Sequence, residues 1–204
     1  HYGVAPDFVV IEGSNAGGHL GFAPEELQNG TCQTLDQILP EVKKELAPFE
    51  EKYGRHIPVF VAGGIRTADE IKHYIEAGAD GVQMATAFIG TEECDATDKY
   101  KQIMLKAGNG DVRIVKSPVG MPGRAIETPL IKHVAEQGRI APAMCRRCIK
   151  TCDPGTTVYC ISNALIAAWY GDLENGLFFC GSDIDCLKTI RPVRSLIDEL
   201  NIRE

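Results

Sequence analysis

Basic residues are in short supply in this chain: 21 Lys and Arg stand against 28 Asp and Glu, for a formal net charge of -7. Without a basic stripe to neutralise phosphates, a nucleic-acid footprint is excluded, while a small phosphate-bearing molecule held by backbone amides is not. Long hydrophobic runs are also missing. No apolar stretch approaches the roughly 18 residues of a membrane span, and the amino end carries no signal-like pattern, so the reading is a soluble, cytoplasmic protein with no membrane partner. No internal repeat or low-complexity tract stands out. What remains is an ordinary globular composition, 44% hydrophobic and 24% charged over 204 residues, enough for one domain plus an appendage.

Three short apolar runs read as strands: Phe8 to Ile11, Pro58 to Ala62 and Gly81 to Met84. Each is nearly continuous in apolar character and closed by glycine or a small residue, as parallel strands covered on both faces should be. Helical patterns separate them. Thr34 and Gln37 form a capping box ahead of Leu35, Ile38, Leu39, Val42 and Leu46 on one face, with Pro40 expected to kink or split that helix. Thr67 and Glu70 form a second box, followed by Ile71, Tyr74 and Ile75, with Gly78 placed to stop the helix. The alternation is that of parallel βαβ units, which puts the first half in the α/β class. Further on, a helix is expected over Asp98 to Lys106, an apolar segment at Arg113 to Val115, and a loop over Ser117 to Arg124. Helices are then expected near Leu130 to Gln137, Tyr159 to Ala168 and Ile190 to Leu200.

The chemistry sits at the strand ends. Glu12 to Gly21 read EGSNAGGHLG, a glycine-rich turn that sets an imidazole beside unshielded backbone amides. His19 can act as a base near neutral pH or can simply hydrogen-bond within its loop; Glu12 can act as a second acid-base group or brace the turn. The second strand runs into Gly63 and Gly64, which let backbone approach an anion closely, or only make a tight turn. The third ends in Gln83, Met84, Ala85 and Thr86, again small-residue backbone one βα unit later. In barrels of eight βα units, phosphate groups often lie at the last two strand ends. His56, His73 and His133 read as structural or solvated.

Four ordered segments, EGSNAGGHLG, Val61 to Ile65, Gly81 to Thr86 and Ser117 to Ala125, resemble the nitronate monooxygenases, formerly called 2-nitropropane dioxygenases, and the related flavin-dependent type II enoyl-acyl-carrier-protein reductases. The resemblance implies the carboxyl-terminal part of a TIM (β/α)8 barrel carrying FMN, strands six to eight, with a helical, Cys-rich tail. It divides the chain into a partial FMN-binding barrel over 1-107, a loop or small-domain segment over 108-128 and the tail over 129-204. Only seven residues precede the first strand, whereas a complete barrel takes about 250 residues, so the chain is expected to be one piece of a larger protein. An amino-terminal half, cleaved or supplied by a second chain, would cover the open sheet, and a homo-oligomer is a further option. Carried over residue by residue, FMN would meet Gly64 and Gln83 through Thr86 at its phosphate, with Gly63 supporting the turn and Glu12, Gly17 and Gly18 along the flavin. His19 matches the family's catalytic base. Ala85 stands where the family usually has glycine, and Ala87 where arginine is common.

Cysteine is plentiful, and its spacing is a separate signal. Cys145, Cys148, Cys152 and Cys160 form C-x2-C-x3-C-x7-C, with Cys180 and Cys186 beyond. Four thiolates so spaced suit zinc or an iron-sulfur cluster, although the pattern is neither a zinc ribbon nor a ferredoxin motif; buried apolar thiols are the alternative. Three functions follow as expectations. The first is an FMN-dependent oxidation of alkyl nitronates by dioxygen to carbonyl compounds and nitrite. The second is an NAD(P)H-dependent enoyl-thioester reduction on the same FMN. The third is a non-catalytic fragment whose cysteines bind metal.

Overall fold

The computed structural model describes residues 4–200; the extreme ends of the tail segment 129-204 and of the first segment lie outside the described residues. The three expected strands form as β1 (Val9–Glu12), β3 (Val59–Ala62) and β4 (Gly81–Gln83), and they pair in parallel in the order β1-β3-β4. Register runs Ile11 to Val61 and Val61 to Val82, so the three strand ends at Glu12, Ala62 and Gln83 lie side by side. Every functional loop of the first half leaves from that one edge.

Helices α2 (Leu35–Tyr53) and α3 (Ala68–Glu76) provide the apolar cover of this sheet. Both begin at the expected boxes. Gln37 Oε1 accepts the Thr34 N–H at 2.9 Å; Thr67 Oγ1 accepts the Glu70 N–H at 3.2 Å while Glu70 Oε2 accepts the Thr67 N–H at 2.9 Å. Pro40 does not split α2, and neither does Pro48; the helix runs through both. Each proline forfeits one backbone hydrogen bond, but Leu35 and Leu39 are buried against Ile11, Val59 and Val61, and each such side chain contributes roughly 1.5–3 kcal/mol. Packing on the sheet outweighs the local cost. The opposite face is bare at its start: Phe8 and Val10 are exposed, with Phe8 edge-on to Phe60.

A second sheet joins the glycine-histidine turn to the middle of the chain. Gly18–His19 (β2) pairs antiparallel with Pro122–Ile126 (β6), which pairs with Val112–Lys116 (β5). The expected loop over Ser117 to Arg124 therefore ends as strand from Pro122 onward. Pro122 occupies the strand's first residue, where the missing N–H is tolerated, and Gly123 to Ile126 are buried. The chain also forms the short helices α1 (Pro24–Asn29), α4 (Thr86–Ile89) and α5 (Asp98–Lys106). The tail supplies α6 (Pro129–Gln137), α7 (Ile161–Trp169) and α8 (Val193–Glu199) near the three expected positions, with long irregular connections between them. No helix among the described residues is long and apolar enough to cross a membrane.

His56, read as structural or solvated, is a tether at the far end of the sheet. Its Nδ1 lies 2.7 Å from Glu50 Oε1 and its Nε2 2.8 Å from Asp80 Oδ1, so α2 and the start of β4 are tied together. Asp80 and then Glu50 raise the His56 pKa; the Ile57 N–H and His56 lower that of Glu50; burial opposes, but the Val59 N–H and His56 lower that of Asp80. The folded state therefore favours the imidazolium. Its contribution is complete below the ordinary histidine value of 6.5 and is lost as pH rises through the raised folded value; the two carboxylates contribute above their ordinary values and lose this in acid. Melting temperature should fall on going from pH 6 to pH 8, and His56→Gln should flatten that limb. An unchanged slope in the variant would show that the tether does not set it.

Candidate functional site

The strand ends open into a cavity of about 310 Å³. Glu12, Gly17, Gly18, Gly63, Gly64, Gln83, Met84, Ala85 and Thr86, all nine residues singled out for a flavin, line it. Gly63 and Gly64 are left-handed, with φ of 97° and 83°, which turns the chain back under the cavity floor. Among the described residues no protein acceptor takes the N–H groups of Gly64, Met84 or Ala85. Backbone donors without partners beside a cavity are what an anionic group requires. At the start of α3, in contrast, the Thr67 and Glu70 N–H groups are taken by the Glu70 carboxylate and the Thr67 hydroxyl.

His19 lies beside this cavity rather than on its lining. It follows Gly18 on β2, and its ring meets Phe179, a lining residue, edge-on with centroids 5.1 Å apart. Its Nε2 is 2.7 Å from Ser117 Oγ, and Ser117 is 4% exposed. Burial lowers the His19 pKa, which favours the neutral ring. Partial burial raises the pKa of Glu12, which opens onto the cavity.

Ser117 and Arg124 belong to a segment singled out as a whole, without roles. Arg124 is 9% exposed, and its Nη1 donates to the carbonyls of Ser14 and Ala16 at 2.6 and 2.5 Å. It clamps the EGSNAGGHLG turn onto β6. The tail contributes more than its sequence suggested: Phe179 to Asp183 and Cys186 line the cavity, with the Gly181 N–H on Thr86 Oγ1 at 3.0 Å and the Ser182 N–H on the Asn15 carbonyl at 3.0 Å. Cys180 is buried, and burial pushes its thiol up to about 12, so it is not a thiolate nucleophile. Apart from turn residues at Gly181 to Asp183, nothing local in this segment marks it as a site.

The expected zinc or iron-sulfur site at Cys145, Cys148, Cys152 and Cys160 is not formed. The four cysteines border one small cavity of about 20 Å³, but among the described residues no three His, Cys, Asp or Glu side chains are grouped to hold a metal ion. Cys145 and Cys148 are exposed; the first accepts the Arg147 N–H at 3.4 Å and the second pairs with Ser162 Oγ at 3.1 Å. The loop is fixed instead by Arg139, which donates to the carbonyls of Thr157 and Pro154, and by the Ile140 N–H on the Val158 carbonyl. The arrangement gives the reading as a metal-binding fragment no support.

Comparison with known proteins matches this geometry to one family. The family model for nitronate monooxygenase matches residues 2–202. A probable nitronate monooxygenase of Staphylococcus haemolyticus is 33% identical over 142 residues, covering 67% of this chain and 36% of the relative; that of Staphylococcus saprophyticus is 30% identical over 135 residues, covering 64% and 34%. The chain thus spans about a third of the length of these relatives. Among solved structures, FabK from Thermotoga maritima superposes with a TM-score of 0.67 at 26% identity, covering 96% of this chain and 53% of that one. Nitroalkane oxidase from Streptomyces ansochromogenes gives 0.67 at 25% identity, covering 96% and 50%. With a match across nearly its whole length and a mixed α/β fold shared with both structures, the chain belongs to the nitronate monooxygenase family.

Proposed function

We propose that this chain is the cofactor-binding part of an FMN-dependent oxidoreductase that oxidises alkyl nitronates with dioxygen to carbonyl compounds and nitrite. The observation that carries this reading is the convergence of nine motif residues, with unpaired Gly64, Met84 and Ala85 amides, on one cavity at the ends of three parallel strands. Those amides would hold the phosphate; Gly17 and Gly18 would lie along the ring system, with open space at the would-be Cβ of Gly18. FMN supplies the electron transfer when bound; the chain supplies position and a base.

The three strands are read as the sixth, seventh and eighth of an eight-stranded barrel. The exposed apolar face at Phe8 and Val10 supports this, because the remaining strands would cover it. In such a barrel the cavity is one wall of an active site and the other wall comes from the rest of the protein.

His19 takes a proton from the carbon beside the nitro group of a neutral nitroalkane. In the tautomer whose Nε2–H donates to Ser117 Oγ, Nδ1 is the nitrogen that accepts it. A nitronate is already an anion, and toward it His19 orients and balances charge. The enoyl-thioester alternative would use the same cavity and histidine, and the likeness to FabK is the observation that keeps it in view. Denaturing the full-length protein should release a chromophore with the spectrum of FMN, and the enzyme should consume oxygen with a nitronate. A colourless protein would sink the cofactor reading; NADH oxidation with a crotonyl thioester and no turnover of nitronates would select the alternative.

A further inference from the structure

Arg66 is the one Lys or Arg among the residues that line the cavity, which also presents the carboxylates of Glu12 and Asp183. It lies one residue beyond the Gly63–Gly64 turn, after Ile65, and is pinned by Glu70, whose carboxylate accepts the Arg66 backbone N–H at 2.8 Å and lies 3.2 Å from Nη2. On the cavity side its Nη1 is ion-paired with Asp183. Asp183 comes from the tail and is held in turn by the Asn109 side-chain amide, which donates to Oδ1 at 2.9 Å. Both members of the pair are about a third exposed, so water and a ligand can reach them.

A phosphate monoester brings a charge of about -1.5 to -2 at pH 7. In a cavity that already holds two carboxylates, a guanidinium with several planar donors adds a full positive charge to what the backbone amides supply. Arg66 lines the same cavity as Gly64, but its charge is already shared between Glu70 and Asp183. Any phosphate binding there meets the Asp183 carboxylate as a competitor. We propose, on the basis of the FMN reading above, that Arg66 is the cation that binds the cofactor phosphate and that Asp183 occupies its guanidinium until the phosphate displaces it. Asp183 sets the affinity for the phosphorylated flavin and makes the tail segment respond to its arrival.

The test is titration of the flavin-free full-length protein with FMN and with riboflavin, which lacks the phosphate, followed by quenching of flavin fluorescence. Arg66→Gln should weaken FMN about tenfold or more, the scale of a charge-assisted contact, and leave riboflavin unchanged. Asp183→Asn should tighten FMN several-fold, again without effect on riboflavin, and the gain should shrink as salt screens the charges. Asp183→Asn gives an independent measurement should Arg66→Gln fold poorly. Equal losses for both flavins in Arg66→Gln, or weaker FMN binding in Asp183→Asn, would overturn the inference while leaving the FMN reading intact. Failure of the unsubstituted protein to bind either flavin would overturn both.

Discussion

Replacing His19 with asparagine is expected to cut turnover of neutral nitroalkanes by about 10²- to 10⁴-fold, the range general-base catalysis supplies, and to affect pre-formed nitronates far less. The substitution keeps a side chain that can hydrogen-bond Ser117 and removes the proton acceptor. Because burial lowers the His19 pKa below its ordinary 6.5, rates with neutral substrates should rise with pH through a value under 6.5 and then level off. The variant should lose that acid limb. Ser117→Ala isolates orientation from basicity: the imidazole keeps its nitrogen but loses the 2.7 Å contact that fixes it. Its loss should be smaller than that of His19→Asn on the same substrate. Equal losses on nitroalkane and nitronate in His19→Asn would reduce His19 to a binding residue.

How much of this was legible in the sequence follows from the range over which each signal acts. The Thr67 and Glu70 box, the apolar runs of the parallel strands and the Asp98–Lys106 helix depend on neighbours a few residues apart, and each forms where the spacing places it. The nine cavity residues were reached through motif resemblance, and they meet because parallel register brings three strand ends to one edge. Strand β6 was not legible, since proline and glycine at its start argue for a loop until β2 and β5 flank it. The tail wall at Phe179 to Asp183 was invisible for the same kind of reason: its partners, Asn15 and Thr86, lie far away in sequence. Conversely, four close cysteines looked like a ligand set, and their spacing could not show that one thiol pairs with Ser162 and another with a backbone N–H.

The same long-range wall makes Gly17→Ala the substitution with the largest expected structural effect. A Cβ at position 17 would stand 2.3 Å from the Cys180 carbonyl carbon, 2.5 Å from its oxygen and 2.7 Å from the Gly181 nitrogen. These are backbone atoms, and the segment they belong to is fixed by the Cys180 N–H on the Arg124 carbonyl, the Gly181 N–H on Thr86 and the Ser182 N–H on Asn15. No side-chain rotation relieves the contact. Relief needs the tail to move away from the cavity, at about 3 kcal/mol or more, which at this size corresponds to roughly 6–12 °C in melting temperature. Gly18→Ala is the control next door. Gly18 has φ of 76° but nothing within 4 Å of its would-be Cβ, so it should cost only the left-handed penalty of about 1–2 kcal/mol. Thermal melts should therefore order the variants Gly18→Ala above Gly17→Ala, and retained flavin should fall much further in the second, because the segment displaced carries the cavity's Phe179 to Asp183 wall. If Gly17→Ala melts within a degree of Gly18→Ala, the tail is not seated against the glycine turn, and the cavity would have to be closed by residues from elsewhere in the protein.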